Sequence, residues 1–384
     1  MLTPRDRNAL LFRLSFVGAL LVHACLLVAF DGVQGGADLG PHLRLAQLMA
    51  DAPALRSVYP PAYHVWVALI APWFGTAAAT RLFAFAAAAG LLAGFRFFQR
   101  AAGLPDLAAA LFAWSPYTFA LTWCAPKVEA AGYALALTAL GLLLRRRHAA
   151  LAAVLAGTFL VHTAAALFLG LAGGVMALTM RDRRALVALA VGSAAAMPLL
   201  WAHLAAGCSL AQALLLSPGD YLRSGITGSS RGMEGRITVL AGPIGLLAAA
   251  MGVTTVWRRN RPVAALCAVI AVLYLNELWL APFGASTTLN LLRGLTLLAI
   301  GTAICGGVAL SEREAIAPFV VVACAVWGTA AAALSVPGSC HTRSFAAAEI
   351  SRIHVDRCSF RWRVARPAGR LGGSGLDDVS GPGR

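Results

Sequence analysis

An all-α polytopic membrane protein is the fold class this sequence predicts, and three observations predict it. The 384 residues are 59% hydrophobic and only 12% charged, with a mean hydropathy of +0.75. Apolar runs of about 20 residues, the length that crosses roughly 30 Å of hydrocarbon, recur along the whole chain. Basic residues stand in clusters between those runs. At about 20 residues per crossing the chain has room for roughly ten to twelve transmembrane helices. Helices are expected throughout, because the bilayer core holds no water to satisfy an open strand edge.

Residues 1–30 hold the N-terminus and the first span. The run over residues 10–30 lacks a small-residue cleavage site followed by a polar mature domain, so it reads as a retained anchor. Arg5, Arg7 and Arg13 put its start in the cytoplasm. The net charge of +15 is carried almost wholly by arginine, Lys127 being the only lysine. In a chain this apolar, such an excess marks cytoplasmic loops and not a nucleic-acid surface.

Residues 31–60 leave the membrane as an external loop. Leu39, Leu43, Ala46 and Ala50 share one face of a short helix there, with Asp38, His42 and Gln47 off it. That is an amphipathic helix suited to the interface. Tyr59-Pro60-Pro61-Ala62-Tyr63-His64 then stiffens the entry to the next helix, and Tyr63, His64 and Trp66 suit an aromatic belt.

Residues 61–336 form the multi-helix domain. Arg145 to Arg147, the Arg181, Arg183 and Arg184 group, and the Arg258, Arg259 and Arg261 group mark cytoplasmic turns. Residues 149–180 are too long for one span and short for two. They read as a tight hairpin with its tip near His162 and Thr163 on the outer side. Residues 185–257 hold two spans around a polar loop at 208–236; 262–281 run outward, 289–310 return and 315–336 run outward again. Residues 61–98 should cross an odd number of times yet are long enough for two spans. A break is expected near Phe74-Gly75 or Arg81, one half being re-entrant or interfacial.

Residues 337–384 are a basic tail, expected to be largely disordered from Arg366 onward, with one short helix near residues 346–354. The cysteines show no metal spacing. Cys25, Cys267, Cys305 and Cys324 lie in apolar runs as small packing residues. Cys340 and Cys358 form a disulfide in an oxidising compartment or stay as free thiols.

The polar groups that remain are few. Asp38 and His42 stand four apart and are neighbours on a continuous helix. A carboxylate beside an imidazole is suited to take a proton near neutral pH; Asp38 equally suits a helix cap, with Pro41 in the first turn. Lys127 and Glu129 fall on the outer side, as an interfacial pair or as binding groups. Glu277 lies at the outer end of an apolar run, and Arg231 sits in a glycine-rich loop with the form of a lid.

These residues carry a resemblance. A first span is followed by Gly-x-Asp-x-x-x-His, then Tyr-Pro-Pro-x-Tyr-His, then Phe74-Gly75 with Arg81, Trp114-Ser115-Pro116, Lys127-x-Glu129 and the His162-Thr163 turn. The pattern resembles the GT-C superfamily of membrane glycosyltransferases, of the protein O-mannosyltransferase and aminoarabinose transferase type, over residues 10–180. The resemblance implies a polyprenyl-phosphate sugar as donor and a lipid, glycan or protein hydroxyl as acceptor. It implies Asp38 as general base with His42 beside it. Lys127, Glu129, His162, Tyr59, His64, Arg231 and Glu277 would contact substrate, with Arg223, Arg236 and Arg293 as further phosphate partners. No cofactor is certain. Asp31 and Asp38 stand seven apart, not in a strict Asp-x-Asp pair, and a divalent metal is left open.

Two other classes fit the same composition: a transporter or lipid flippase, and a non-enzymatic subunit of an envelope-polymer system. No two-fold repeat with matching broken spans marks a carrier, and no Gly-x-x-x-x-Gly-Lys motif marks an ATP-driven pump.

Overall fold

The computed structural model describes residues 3–29, 43–48, 60–123, 128–205, 216–218, 242–276, 279, 285–287, 294–339, 353–355 and 362–364. Among them α1 covers Pro4–Ala29, α2 Ala62–Ala101, α3 Asp106–Ala113, α4 Pro116–Trp123, α5 Val128–Leu144, α6 His148–Val161 and α7 Thr163–Thr179. Next come α8 at Arg183–Ala194, α9 at Met197–Ala205, α10 at Pro243–Arg259, α11 at Arg261–Tyr274, α12 at Leu295–Ser311 and α13 at Ala317–Ser339. Asp6–Val28, Ala62–Ala101 and Arg183–Trp201 are long and apolar enough to cross a membrane, and six shorter apolar helices accompany them among the described residues.

Local chemistry sets the helix ends. Thr3 accepts from the Asp6 amide at 3.2 Å and donates to the Asp6 carboxylate at 2.6 Å, capping α1, with Pro4 in its first turn. Asp182 accepts from the Ala185 amide at 3.1 Å and caps α8. Asn260 caps α11 through Val263 and donates to the Ala102 carbonyl at 3.0 Å, tying two turns together.

Contacts between helix ends gather the arginine clusters at one end of the bundle. Arg7 at the start of α1 reaches Glu314, between α12 and α13, at 3.4 Å. Arg259 at the end of α10 reaches Glu312 at 2.9 Å. Arg96 pairs with Asp106 at 2.6 Å and lies 3.8 Å over the Phe12 ring. Arg145 lies 4.4 Å over Phe97, and His148 meets Asp182 at 3.0 Å. That last contact joins the first residue of α6 to the turn after α7. Residues 148–179 are therefore an antiparallel hairpin that turns at His162, as expected from the sequence.

The ambiguity over residues 61–98 resolves at Gly75. In an unbroken helix Trp66 and Ala79 would lie about 20 Å apart, and Tyr63 and Thr80 about 25 Å apart. Instead the Trp66 indole donates to the Ala79 carbonyl at 2.9 Å, and the Tyr63 and Thr80 hydroxyls are 3.3 Å apart. The chain folds back at Gly75, whose φ of 81° and ψ of 157° belong to a region open essentially to glycine alone. Pro72 weakens the helix just ahead of the break. One helix, residues 76–101, carries a folded-back segment, 62–74, beside the end remote from Arg96 and Arg100.

The core is a layer of close-packed helices. Phe95 of α2 stacks on Phe112 of α3 with ring centroids 4.1 Å apart, and α10 runs alongside α12 with Gly252 against the Cys305 backbone. Small residues permit such approaches where lipid supplies no hydrophobic drive. Leu43 and Ala46 are buried, as the amphipathic pattern of the first loop requires, and Leu45 is buried with them.

Two expectations are corrected. Cys25 is exposed on α1 and does not pack in the core. Residues 353–355 do not end a helix: β3 at Ile353–Val355 pairs antiparallel with β4 at Trp362–Val364, as suits alternating β-branched and aromatic residues. Earlier in the chain, β1 at Leu216–Pro218 pairs with β2 at Ala285–Thr287, joining the loop after α9 to the loop after α11.

Candidate active site

At the end opposite the arginines, three helix ends converge. Helix α5 begins at Val128, so Glu129 sits in its first turn, where the helix dipole favours a carboxylate. The first turn of α12 brings Thr296, whose hydroxyl donates to Glu129 Oε1 at 3.4 Å across 167 positions of sequence. The tip of the α6–α7 hairpin brings His162. Its backbone is extended there, ending α6 and starting α7.

Gly132 is what lets that tip approach. It lies one turn along α5 from Glu129 on the same face. A Cβ at this position would fall 2.5 Å from His162 Cβ and 2.9 Å from Ala165 Cβ. Glu129 and His162, which the sequence singled out separately, are thus on one patch of α5. His162 Nδ1 accepts from the Ala165 amide at 3.2 Å. An accepting Nδ1 puts the neutral ring's proton on Nε2 and makes that nitrogen the donor. Around them, Tyr133 is buried with its ring 5.7 Å from Phe168. The patch combines an acceptor carboxylate, a hydroxyl and an imidazole donor, a set suited to hydroxyls and phosphate oxygens.

His64 belongs to a different cluster. It is fully buried, takes the Pro60 carbonyl as hydrogen-bond acceptor, and its ring is 5.6 Å from that of Tyr63. Tyr63 packs edge-on against Phe83 at 4.9 Å. Tyr63, beside His64, thus helps hold the folded-back segment onto the body of α2. Asp38, His42, Tyr59, Lys127, Arg231 and Glu277 lie outside the described residues, as do Cys340 and Cys358.

Some residues near this end escaped the sequence reading. His23 of α1 is buried, its ring 4.7 Å from Phe119; an ionisable group inside the first apolar run was the signal that pointed to it. Thr296 and Gly132 carried no such signal. Among the described residues no three His, Cys, Asp or Glu side chains gather to hold a metal. A small pocket of about 30 Å³, roughly one water's worth, lies between Trp114, Ser115, Gly242 and Thr302 and shares no lining residue with the Glu129 patch.

No protein-family model and no curated protein matches the chain. Among solved structures it is similar to the crystal structure of ArnT from Cupriavidus metallidurans bound to undecaprenyl phosphate. The TM-score is 0.57 at 16% identity, over 84% of this chain and 70% of that one. The chain shares the polytopic helical fold of that structure. With that fold and its apolar helices, the chain is an integral membrane protein.

Proposed function

We propose that this protein is a membrane glycosyltransferase, a hexosyl- or pentosyltransferase, that moves a sugar from a polyprenyl-phosphate donor to an acceptor hydroxyl at the outer face of the membrane. The observation that carries the reading is the likeness of fold to a protein whose structure holds undecaprenyl phosphate. The convergence of Glu129, Thr296 and His162 at the end opposite the arginines supports it.

In this reading Asp38 takes the proton of the acceptor hydroxyl as that oxygen forms its bond to the anomeric carbon, and His42 shares the proton. The bond from the anomeric carbon to the phosphate oxygen breaks. Polyprenyl phosphate leaves with the electron pair, its charge met by Lys127 and Arg231 and by the Nε2–H of His162. Glu129, held by Thr296, accepts from sugar hydroxyls, while Tyr59 and Glu277 border the substrate and His64 lies in the folded-back segment beneath it.

The test is Asp38→Asn, which keeps shape and cap acceptor while removing the base. Transfer from a polyprenyl-phosphate sugar should fall by about 10²- to 10⁴-fold with membrane insertion unchanged. Near-normal transfer would reduce Asp38 to a helix cap. Movement of the intact donor across vesicles, with no release of polyprenyl phosphate, would replace the enzyme by a carrier.

A further inference from the structure

The fold builds a basic surface that the spacing of the sequence does not. Arg145, Arg146 and Arg147 sit in one turn, and Arg181, Arg183 and Arg184 in another. The contact of His148 with Asp182, 34 positions apart, brings the two turns together. All six arginines are exposed. Arg146 and Arg181 both take positive φ, 54° and 55°, a conformation unfavourable for a residue with a Cβ. The only carboxylate of these turns, Asp182, is already engaged by His148 and by the Ala185 amide.

Three other arginines at this end meet carboxylates: Arg7 has Glu314, Arg96 has Asp106 and Arg259 has Glu312. Among the described residues none of these six forms an ion pair at contact distance; Arg145 lies over the Phe97 ring, and the charge of Arg146 acts on Asp182 from a longer range. Below the patch the surface turns apolar. On α8, Val187 follows Arg183 and Arg184 at i+4 and i+3, and Val191 lies one further turn on, so charge and apolar side chains share one helix face. Val187 is 64% exposed, Val191 59%, and Leu178 of α7 63%.

We propose that this surface is a binding site for an anionic phospholipid of the leaflet at the arginine-bearing end. The guanidinium groups hold the phosphate headgroup, and the acyl chains lie along Val187, Val191 and Leu178. Planar guanidinium forks suit phosphate oxygens, and the helix face matches a lipid's own order of charge above hydrocarbon. Bound there, the lipid clasps the foot of the hairpin whose tip is His162. The inference rests on the membrane fold and stands independently of the transferase reading.

The full chain, purified in a non-ionic detergent, would be titrated with phosphatidylglycerol and with phosphatidylcholine of the same chain length. Retained lipid is read by native mass spectrometry, and the unfolding midpoint in parallel. Phosphatidylglycerol should be retained and raise the midpoint, and phosphatidylcholine should do neither. The Arg146→Gln, Arg183→Gln, Arg184→Gln triple variant should bind about a hundredfold more weakly, at roughly 1 kcal/mol per charge. The corresponding lysine triple should keep most of the binding, and it carries the test if the glutamine triple misfolds. Arg258→Gln with Arg259→Gln, at the same end, should leave binding unchanged. Equal retention of both lipids would overturn the site. So would equal loss in both sets of variants, which would reduce it to general attraction to a basic surface. Displacement by millimolar glycerol phosphate as readily as by lipid would make the ligand a soluble anion instead.

Discussion

Thr296 carries no mark in the sequence, being one hydroxyl at the start of an apolar run, yet it orients the Glu129 carboxylate. Thr296→Val keeps the shape and removes the donor. The loss of one hydrogen bond, about 1 kcal/mol, should slow transfer roughly fivefold in a steady-state assay with expression unchanged; an unaltered rate would leave the contact structural only. At the other end the Asp182 carboxyl is held below its ordinary range, first by the hydrogen bond with His148 and then by the Ala185 amide. A depressed folded pKa contributes stability that is present above the unfolded carboxylate value of about 3.9 and is lost as pH falls through the folded value. The unfolding midpoint of the solubilised protein should therefore drop as the pH falls below about 5. Asp182→Asn, which still caps α8, should start lower and flatten that dependence; parallel curves for the two proteins would remove the pair from the ledger of stability. Glu129 and His162 were legible one by one, because an ionisable group in apolar surroundings stands out. Their placement along one face of α5 was not, because it depends on Gly132, and a glycine in a membrane helix looks like any other.

At the scale of the element, α2 shows how far hydropathy reaches. It marks residues 61–98 as apolar and too long for one crossing, and Pro72 with Gly75 marks where a break belongs. Hydropathy is silent on the direction after the break, which is set by Trp66 reaching the Ala79 carbonyl and Tyr63 reaching Thr80. Gly75 has open space around a built Cβ, so crowding does not forbid a side chain there; its positive φ does. Gly75→Ala should lower stability by about 1–3 kcal/mol, seen as a lower unfolding midpoint. Gly174→Ala, equally open but inside regular α7, should be neutral or stabilising. Equal effects at the two positions would mean that the fold-back does not need this backbone conformation. The tail strands β3 and β4 teach the same lesson in reverse. Ala346 to Glu349 reads as helix by local propensity, but Ile353 to Val355 is β-branched at alternate positions and finds a partner strand.

At the scale of the molecule, contacts between helix ends carry all four basic clusters to one end and Glu129, Thr296 and His162 to the other. This separation gives a topology that labelling can read. In a variant lacking the eight native cysteines, His162→Cys should react with an impermeant maleimide from outside intact cells. Arg147→Cys should react only after permeabilisation. The reverse pattern would invert the orientation and put the proposed chemistry on the wrong face.

By itself the sequence determined that the chain spans membranes as helices, where most spans begin and end, and which turns share a side. Hydropathy and positive charge act on the bilayer segment by segment, so they are readable without knowing what touches what. Only the tertiary structure decided the fold-back of residues 62–74, the union of two arginine turns, the approach of His162 to Gly132 and the bond between Thr296 and Glu129, 167 positions apart. Inside lipid, apolar side chains gain little by choosing protein over hydrocarbon. Partner choice there falls to shape and to single hydrogen bonds, such as the approach that Gly132 permits and the bond that Thr296 donates.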